Sequence, residues 1–210
     1  SGSVNWNEGL KALKCRYSMN GLVSKISKLN IFKRSSPVHE VLFYGGENEE
    51  TTKKIGMNNL SCIYFVIVHA SATVDVCVPS LRSDTITKCL ISLQKKNIVR
   101  IRVAIHNTKK LHNIQSLTKH GIEVKLIQSQ EKFGHDFILV DANDEDAVAV
   151  LGSLDYEVSR VNINRDATVL TSEPMVVKTL QREFERIWNS LEKYEQIVIS
   201  DKAKLTAVQT

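Results

Sequence analysis

"FGHDFILVDANDEDAVAVLGSLDY", residues Phe133–Tyr156, reads as two short apolar strands, "DFILVD" and "AVAVLG", folded on the acidic turn "ANDED" and followed by a "GSL" turn. Strand side chains alternate faces with period two, so Gly134 and Asp136 share one face while His135 and Phe137 take the other. The segment has the outline of a catalytic hairpin, an apolar strand flanked by a histidine, His135, and an aspartate, Asp141.

Upstream of this hairpin the pattern alternates between strand and helix. "VHEVLFY" is β-like, Glu49 to Ala70 is helical, and "TVDVCVP" from Thr73 is a strand. Ser83 opens a helix running to Lys96, with Ile86, Leu90 and Leu93 on one face. "VRIRVAI" from Val99, a helix over "TKKLHNIQSLTKHG" closed by Gly121, and "IEVKLI" follow. Downstream come a strand "ATVLT" and a helix from Pro174. In that helix Val177, Leu180, Phe184, Ile187, Trp188 and Leu191 recur every three or four residues, and Glu183, Glu185 and Arg186 stay outside. The rhythm predicts one α/β domain, a central mixed sheet flanked by helices, over residues 37–195. Residues 1–36 read as an expression scar (Ser1-Gly2-Ser3), a basic amphipathic segment and a "KRSSP" linker, and 196–210 as a polar tail.

The 210 residues, 42% apolar and 24% charged, suit a globular domain with a sizeable core. A net charge of +5 points mildly to anionic partners. Cys15, Cys62, Cys77 and Cys89 are scattered without zinc-knuckle or redox spacing, and the six histidines are equally dispersed, so no cofactor and no metal site is expected. The densest apolar run, "LSCIYFVIVHA" from Leu60, is too short for a membrane span and reads as a buried helix.

Three segments in this order, "VHEVLFY", "FGHDFILVDANDEDAVAVLGSLDY" and "NRDATVLTSEPMVVKTLQREFERIW", resemble the phospholipase D superfamily, in particular its small single-motif members of the Zucchini or mitochondrial cardiolipin hydrolase group. The resemblance implies a His-x-Lys-x4-Asp motif followed by a Gly-Ser-x-Asn turn. The histidine attacks phosphorus, the lysine and asparagine hold the phosphate oxygens, and the aspartate orients a histidine. Anchored on Phe137 and Asp141, that motif falls on Gly134 in place of histidine and Asp136 in place of lysine. Asp141 and Ser153 fit, Asp155 stands where the asparagine is expected, and Asn164 and Arg165 match the family's "NNREN"-like segment, with Asp166 in place of its glutamate. Shifting the frame by one to use His135 puts Phe137 at the lysine position and Ala142 at the aspartate position. No family zinc hairpin is expected, because "GGENEETTKKIGMNN" offers no cysteine or histidine before Cys62.

On this resemblance the first expectation is a protein that is not an enzyme: a scaffold, dimerisation or RNA-binding component, set at the cytosolic face of the mitochondrial outer membrane and in the piRNA pathway. A homodimer, or a heterodimer with a related protein, is the implied assembly. Lys95, Lys96, Arg100, Arg102, Lys109 and Lys110 are the candidate contacts to single-stranded RNA. A second reading keeps a residual phosphodiesterase, a single-strand endonuclease or cardiolipin hydrolase, built on His135. A third makes the basic N-terminal segment a membrane contact.

Overall fold

A computed structural model describes residues 37–45, 49–106, 112–127, 133–152, 165–190 and 192–193. The chain divides into two units, Ser1–Ser36 and Pro37–Thr210. The expected N-terminal segment and linker, and the polar tail from residue 196, lie outside the described residues.

The second unit holds one mixed sheet of eight strands in the order β1-β7-β6-β5-β2-β3-β4-β8. The strands are β1 His39–Tyr44, β2 Thr73–Val78, β3 Arg100–His106, β4 Glu123–Ile127, β5 Phe137–Val140, β6 Val148–Gly152, β7 Asp166–Thr171 and β8 Glu192–Lys193. The strands β2, β3 and β4 are parallel, and every other pairing is antiparallel. Between them run α1 Glu49–Val68, α2 Asp84–Gln94, α3 His112–Lys119 and α4 Pro174–Ser190. The α/β expectation therefore holds, with the hairpin β5–β6 beside the parallel core.

Local chemistry explains the boundaries. Ser83 caps α2: its hydroxyl oxygen accepts from the Ile86 N–H at 3.1 Å, filling one of the donors a helix start leaves open. After α3 the chain turns at Gly121 with φ +79°, a conformation costly for residues with a Cβ. Pro174 occupies the first turn of α4, where no N–H is required.

Residues on both faces of the sheet are buried, so both faces carry helices. The helix α4 packs over β6, β5 and β3, where Phe184, Ile187 and Trp188 meet Cys77, Phe137 and Leu139. On the opposite face Val74, Val76 and Ile138 are buried on the side of α1, α2 and α3, which pack on one another. Leu60, Cys62, Ile63, Val66 and Ile67 of α1 are buried, as read from the sequence. Among the described residues no helix is long and apolar enough to cross a membrane. Cys62, Cys77 and Cys89 are buried.

Candidate functional site at the start of β5

Strand β5 runs antiparallel to β2, so residues 134–136 lie at the edge where the parallel strands end. In open α/β sheets that edge is where ligands bind. Gly134 is exposed, and nothing lies within 4 Å of where a Cβ would stand. Asp136 is half-buried, and its carbonyl accepts the Gly152 N–H at 3.1 Å. This places the aligned motif positions directly beside the start of the "GSL" turn. Gly152 has φ +115°, and a Cβ there would sit 2.6 Å from the Ala167 carbonyl oxygen, so only glycine fits. Ser153, Asp155 and Asn164 lie outside the described residues.

His135 points to the α4 face, as the period-two reading predicts, and finds a partner there. Its Nε2 lies 2.8 Å from Glu183 Oε1, and its ring stacks on Phe133 at 4.9 Å between centroids. The Glu183 carboxylate also accepts two bonds from Arg186, from Nε at 2.8 Å and Nη2 at 2.7 Å. These bonds from Arg186, together with the pair to His135, hold the Glu183 carboxyl below its ordinary range. A carboxylate on Nε2 selects the tautomer with its proton there and leaves Nδ1 as the acceptor nitrogen. The imidazole is 41% exposed, so a ligand can reach it.

The nearby Cys77 offers no competing nucleophile. Burial, with the Glu183 and Asp136 charges adding to it, pushes its thiol up to about 12.

Asp141 departs from the role the resemblance implies. Its Oδ1 accepts from the N–H groups of Ala72 and Thr73 at 2.7 and 2.8 Å, and its Oδ2 from the N–H and hydroxyl of Ser71 at 2.8 and 3.0 Å. The carboxylate ties the end of β5 to the turn that leads into β2, at the opposite edge of the sheet from His135. It orients a backbone turn, not a histidine.

One of the candidate RNA contacts is corrected as well. Arg102 is buried and held by Asp75 (2.7 and 2.8 Å) and Glu185 (2.6 Å), with its guanidinium 4.8 Å from the Phe184 ring centre. Desolvation opposes the charge, yet the hydrogen bonds to Asp75 and Glu185 outweigh it and hold the Arg102 pKa above its ordinary value. Arg100 is exposed but paired in fork geometry with Glu123 at 2.8 and 3.2 Å. Lys95 and Lys96 are exposed at the end of α2, on the sheet edge away from His135. Lys109 and Lys110 lie outside the described residues.

The partners missed in the sequence are Glu183, Arg186 and Glu185, read there as an outer face. The helix α4 crosses the strands, so its flanks reach opposite edges: Glu183 turns to His135 and Glu185 to Arg102. The signal was present in "EFERIW", whose glutamates two apart sit on different flanks of a helix.

The family described as cardiolipin synthase, PLD-like domain, matches residues 64–188. The chain is 26% identical over 175 residues to a mitochondrial cardiolipin hydrolase of Xenopus tropicalis, covering 76% of this chain and 81% of the relative. To the protein of that name from Homo sapiens it is 29% identical over 136 residues, 63% of this chain and 52% of the relative. Among solved structures it resembles the phospholipase D family member Nuc from Salmonella typhimurium, with a TM-score of 0.60, 16% identity, and coverage of 76% of this chain and 99% of that one. NucT from Helicobacter pylori gives 0.59 at 12% identity, covering 76% and 100%. These relatives correct the expectation of a non-enzyme. The proteins matching most of this chain are named as hydrolases, and an imidazole paired to a carboxylate persists at the edge where the motif begins.

Proposed function

The chain belongs to the family of cardiolipin synthase PLD-like domains, within the phospholipase D superfamily, and from that premise we propose that it is a phosphodiesterase acting at a mitochondrial membrane on a lipid phosphodiester such as cardiolipin. The observation that carries this reading is the His135–Glu183 pair at 2.8 Å with a half-exposed ring. In this reading Nδ1 of His135 takes a proton from water as the water oxygen attacks phosphorus. The same proton then goes to the departing alkoxide as the P–O bond breaks. Glu183 fixes the ring and stabilises the imidazolium, and N–H groups of Arg186 not spent on Glu183 face the phosphate oxygens. The relatives' names support the substrate class and the location.

The test is hydrolysis of cardiolipin in vesicles, with a single-stranded RNA oligonucleotide as a second arm. His135→Ala is expected to lower the rate about 100-fold or more, the usual worth of a positioned acid–base group. An unchanged rate refutes the assignment of His135, and cleavage of RNA alone replaces the lipid substrate. A scaffold or RNA-binding role in a piRNA setting is a second proposal, and among the candidate basic residues it draws on Lys95 and Lys96, which are exposed. Replacing both by glutamine would lower the slope of log affinity against log salt by about 1.4, at the roughly 0.7 per contact of single strands.

A further inference from the structure

An open apolar surface begins beside His135 and runs across three strands. Phe137, Leu151, Val169 and Val41 are successive register partners on β5, β6, β7 and β1, so their side chains share the face that α4 packs on. Phe137 lies under the helix, and beyond it the cover is lost: Leu151 is half-buried, Val169 38% exposed and Val41 50%. Phe43, on the same face of β1, is 67% exposed. Tyr44 pairs with Asp166 and Gly152 with Thr168, so Phe43 lies toward the sheet edge where β5 begins. Three of the five exposed large hydrophobic side chains among the described residues thus share one face. Scattered exposed apolar residues are ordinary, whereas a contiguous group marks a binding surface.

The helix α4 gives this floor a wall. Val176, Leu180 and Glu183 are spaced i, i+4 and i+7 along one flank, and Glu183 of that flank meets His135. Val176 and Leu180 are half-buried. Phe133, stacked on His135, packs against the same core as Leu151 and Leu180. Toward the other edge of the sheet the lining turns polar, with His39 Nδ1 2.9 Å from Thr171 Oγ1. The Phe43 carbonyl is already held by Asn59 Nδ2 at 2.9 Å, so the surface on offer is made by side chains.

We propose that this shelf holds one acyl tail of the substrate, laid from His135 across β6 and β7 to β1, with the phosphodiester at the imidazole. The proposal rests on the reading of the protein as a lipid phosphodiesterase and adds where the lipid lies. Polarity fits an amphiphile: His135, Glu183 and Arg186 form a polar end, whereas the side chains of Leu151, Val169, Val41 and Phe43 carry no charge, donor or acceptor. Length fits as well. From β5 to β1 is three strand spacings of about 4.8 Å, roughly 14 Å. An acyl tail spans one leaflet, about half of a hydrocarbon core roughly 30 Å thick. A nucleic acid would find no cation on this floor for its phosphates.

Methyl NMR on the full-length protein tests the shelf independently of turnover. Dodecyl phosphate below its micelle concentration is expected to shift the methyl resonances of Leu151, Val169 and Val41. Butyl phosphate, with the same head and a tail too short to reach β1, is expected to leave Val41 unmoved. Val41→Thr together with Val169→Thr keeps side-chain shape and strand preference but sets hydroxyls against the tail. This variant is expected to lower the ratio of kcat/KM for tetraoleoyl over tetrabutyryl cardiolipin about tenfold, through KM. Val41 and Val169 methyls indifferent to dodecyl phosphate overturn the proposal, as do equal shifts with butyl phosphate or an unchanged ratio in the variant. A variant that detaches from tetraoleoyl vesicles yet keeps its affinity for monomeric dodecyl phosphate overturns it in favour of a membrane contact. Failure to hydrolyse either lipid refutes the phosphodiesterase reading alone, and methyl shifts that still appear uphold the shelf.

Discussion

Four hydrogen bonds converge on the Asp141 carboxylate, three of them from the backbone N–H groups of consecutive residues and the fourth from the Ser71 hydroxyl. The residue itself has φ +51°, a conformation that aspartate tolerates better than most. Asp141→Ala would leave the N–H groups of Ser71, Ala72 and Thr73 without this acceptor and leave a residue in the left-handed region with no side-chain bond to compensate. Since bonds to a charged group contribute about 1.5–3 kcal/mol each and do not add fully, the loss is expected at about 3–5 kcal/mol in urea denaturation. Asp141→Asn keeps one acceptor oxygen and the tolerance for positive φ, so it should lose about half as much. Gly152→Ala is a second test at this scale: its Cβ would meet the Ala167 carbonyl at 2.6 Å, and backbone strain of this kind costs about 1–3 kcal/mol. Asp141 persists because it has architectural work independent of catalysis. Nothing comparable constrains Gly134, which is exposed with open space around it.

The elements were largely legible because each carried its own signal: an unbroken apolar run in "FILV" that suits a strand buried on both faces, a 3.6 period in the last helix, Ser83 and Gly121 at helix ends. The site was legible less fully, because the roles of Glu183 and Glu185 depend on how α4 crosses the strands, which no local pattern encodes. The same crossing makes Arg102 a fastening between β3, β2 and α4. Its side chain and that of Asp75 are 10% and 3% exposed, and Glu185 is more open. Arg102→Met is expected to cost about 3–5 kcal/mol, the usual loss when one member of a buried pair is removed, with Asp75→Leu in the same chain recovering much of it. A double-mutant cycle by urea denaturation measures both. The single variant also has a signed pH dependence. Burial already raises the Asp75 pKa against the pull of Arg102, and removing Arg102 raises it further. A carboxyl raised in the folded state stabilises most below its unfolded pKa of about 4 and loses that contribution as pH rises through the folded value. The Arg102→Met defect should therefore be smaller at pH 4 than at pH 7, and a defect that grows on acidification would show Asp75 to be solvated.

At the scale of the molecule, catalysis in this fold requires groups from separate segments to meet at one edge, and the backbone for that meeting is intact: the Asp136 carbonyl still accepts the Gly152 N–H. Restoring the motif tests how much of the rest acts as a set. Gly134→His enters open space and needs no repacking. Asp136→Lys replaces a carboxylate with a cation on the side where the family motif holds phosphate. Even so, groups that act together in catalysis are strongly non-additive. Asp155 stays where the motif has an asparagine, and a carboxylate there repels a phosphate oxygen by about 4 kcal/mol at 4 Å and an effective dielectric near 20. The double variant is expected to hydrolyse cardiolipin within about tenfold of the wild type. Adding Asp155→Asn should raise kcat/KM by about 100-fold more, the order of one positioned donor to a developing charge. The same substitution in the otherwise wild-type chain should do far less, because Asp136 stands where the family motif has the lysine it cooperates with. Measured under one condition, equal rates for the double and triple variants would remove position 155 from the set. A single Asp155→Asn as effective as the triple variant would instead make that carboxylate the sole obstacle at an otherwise competent site.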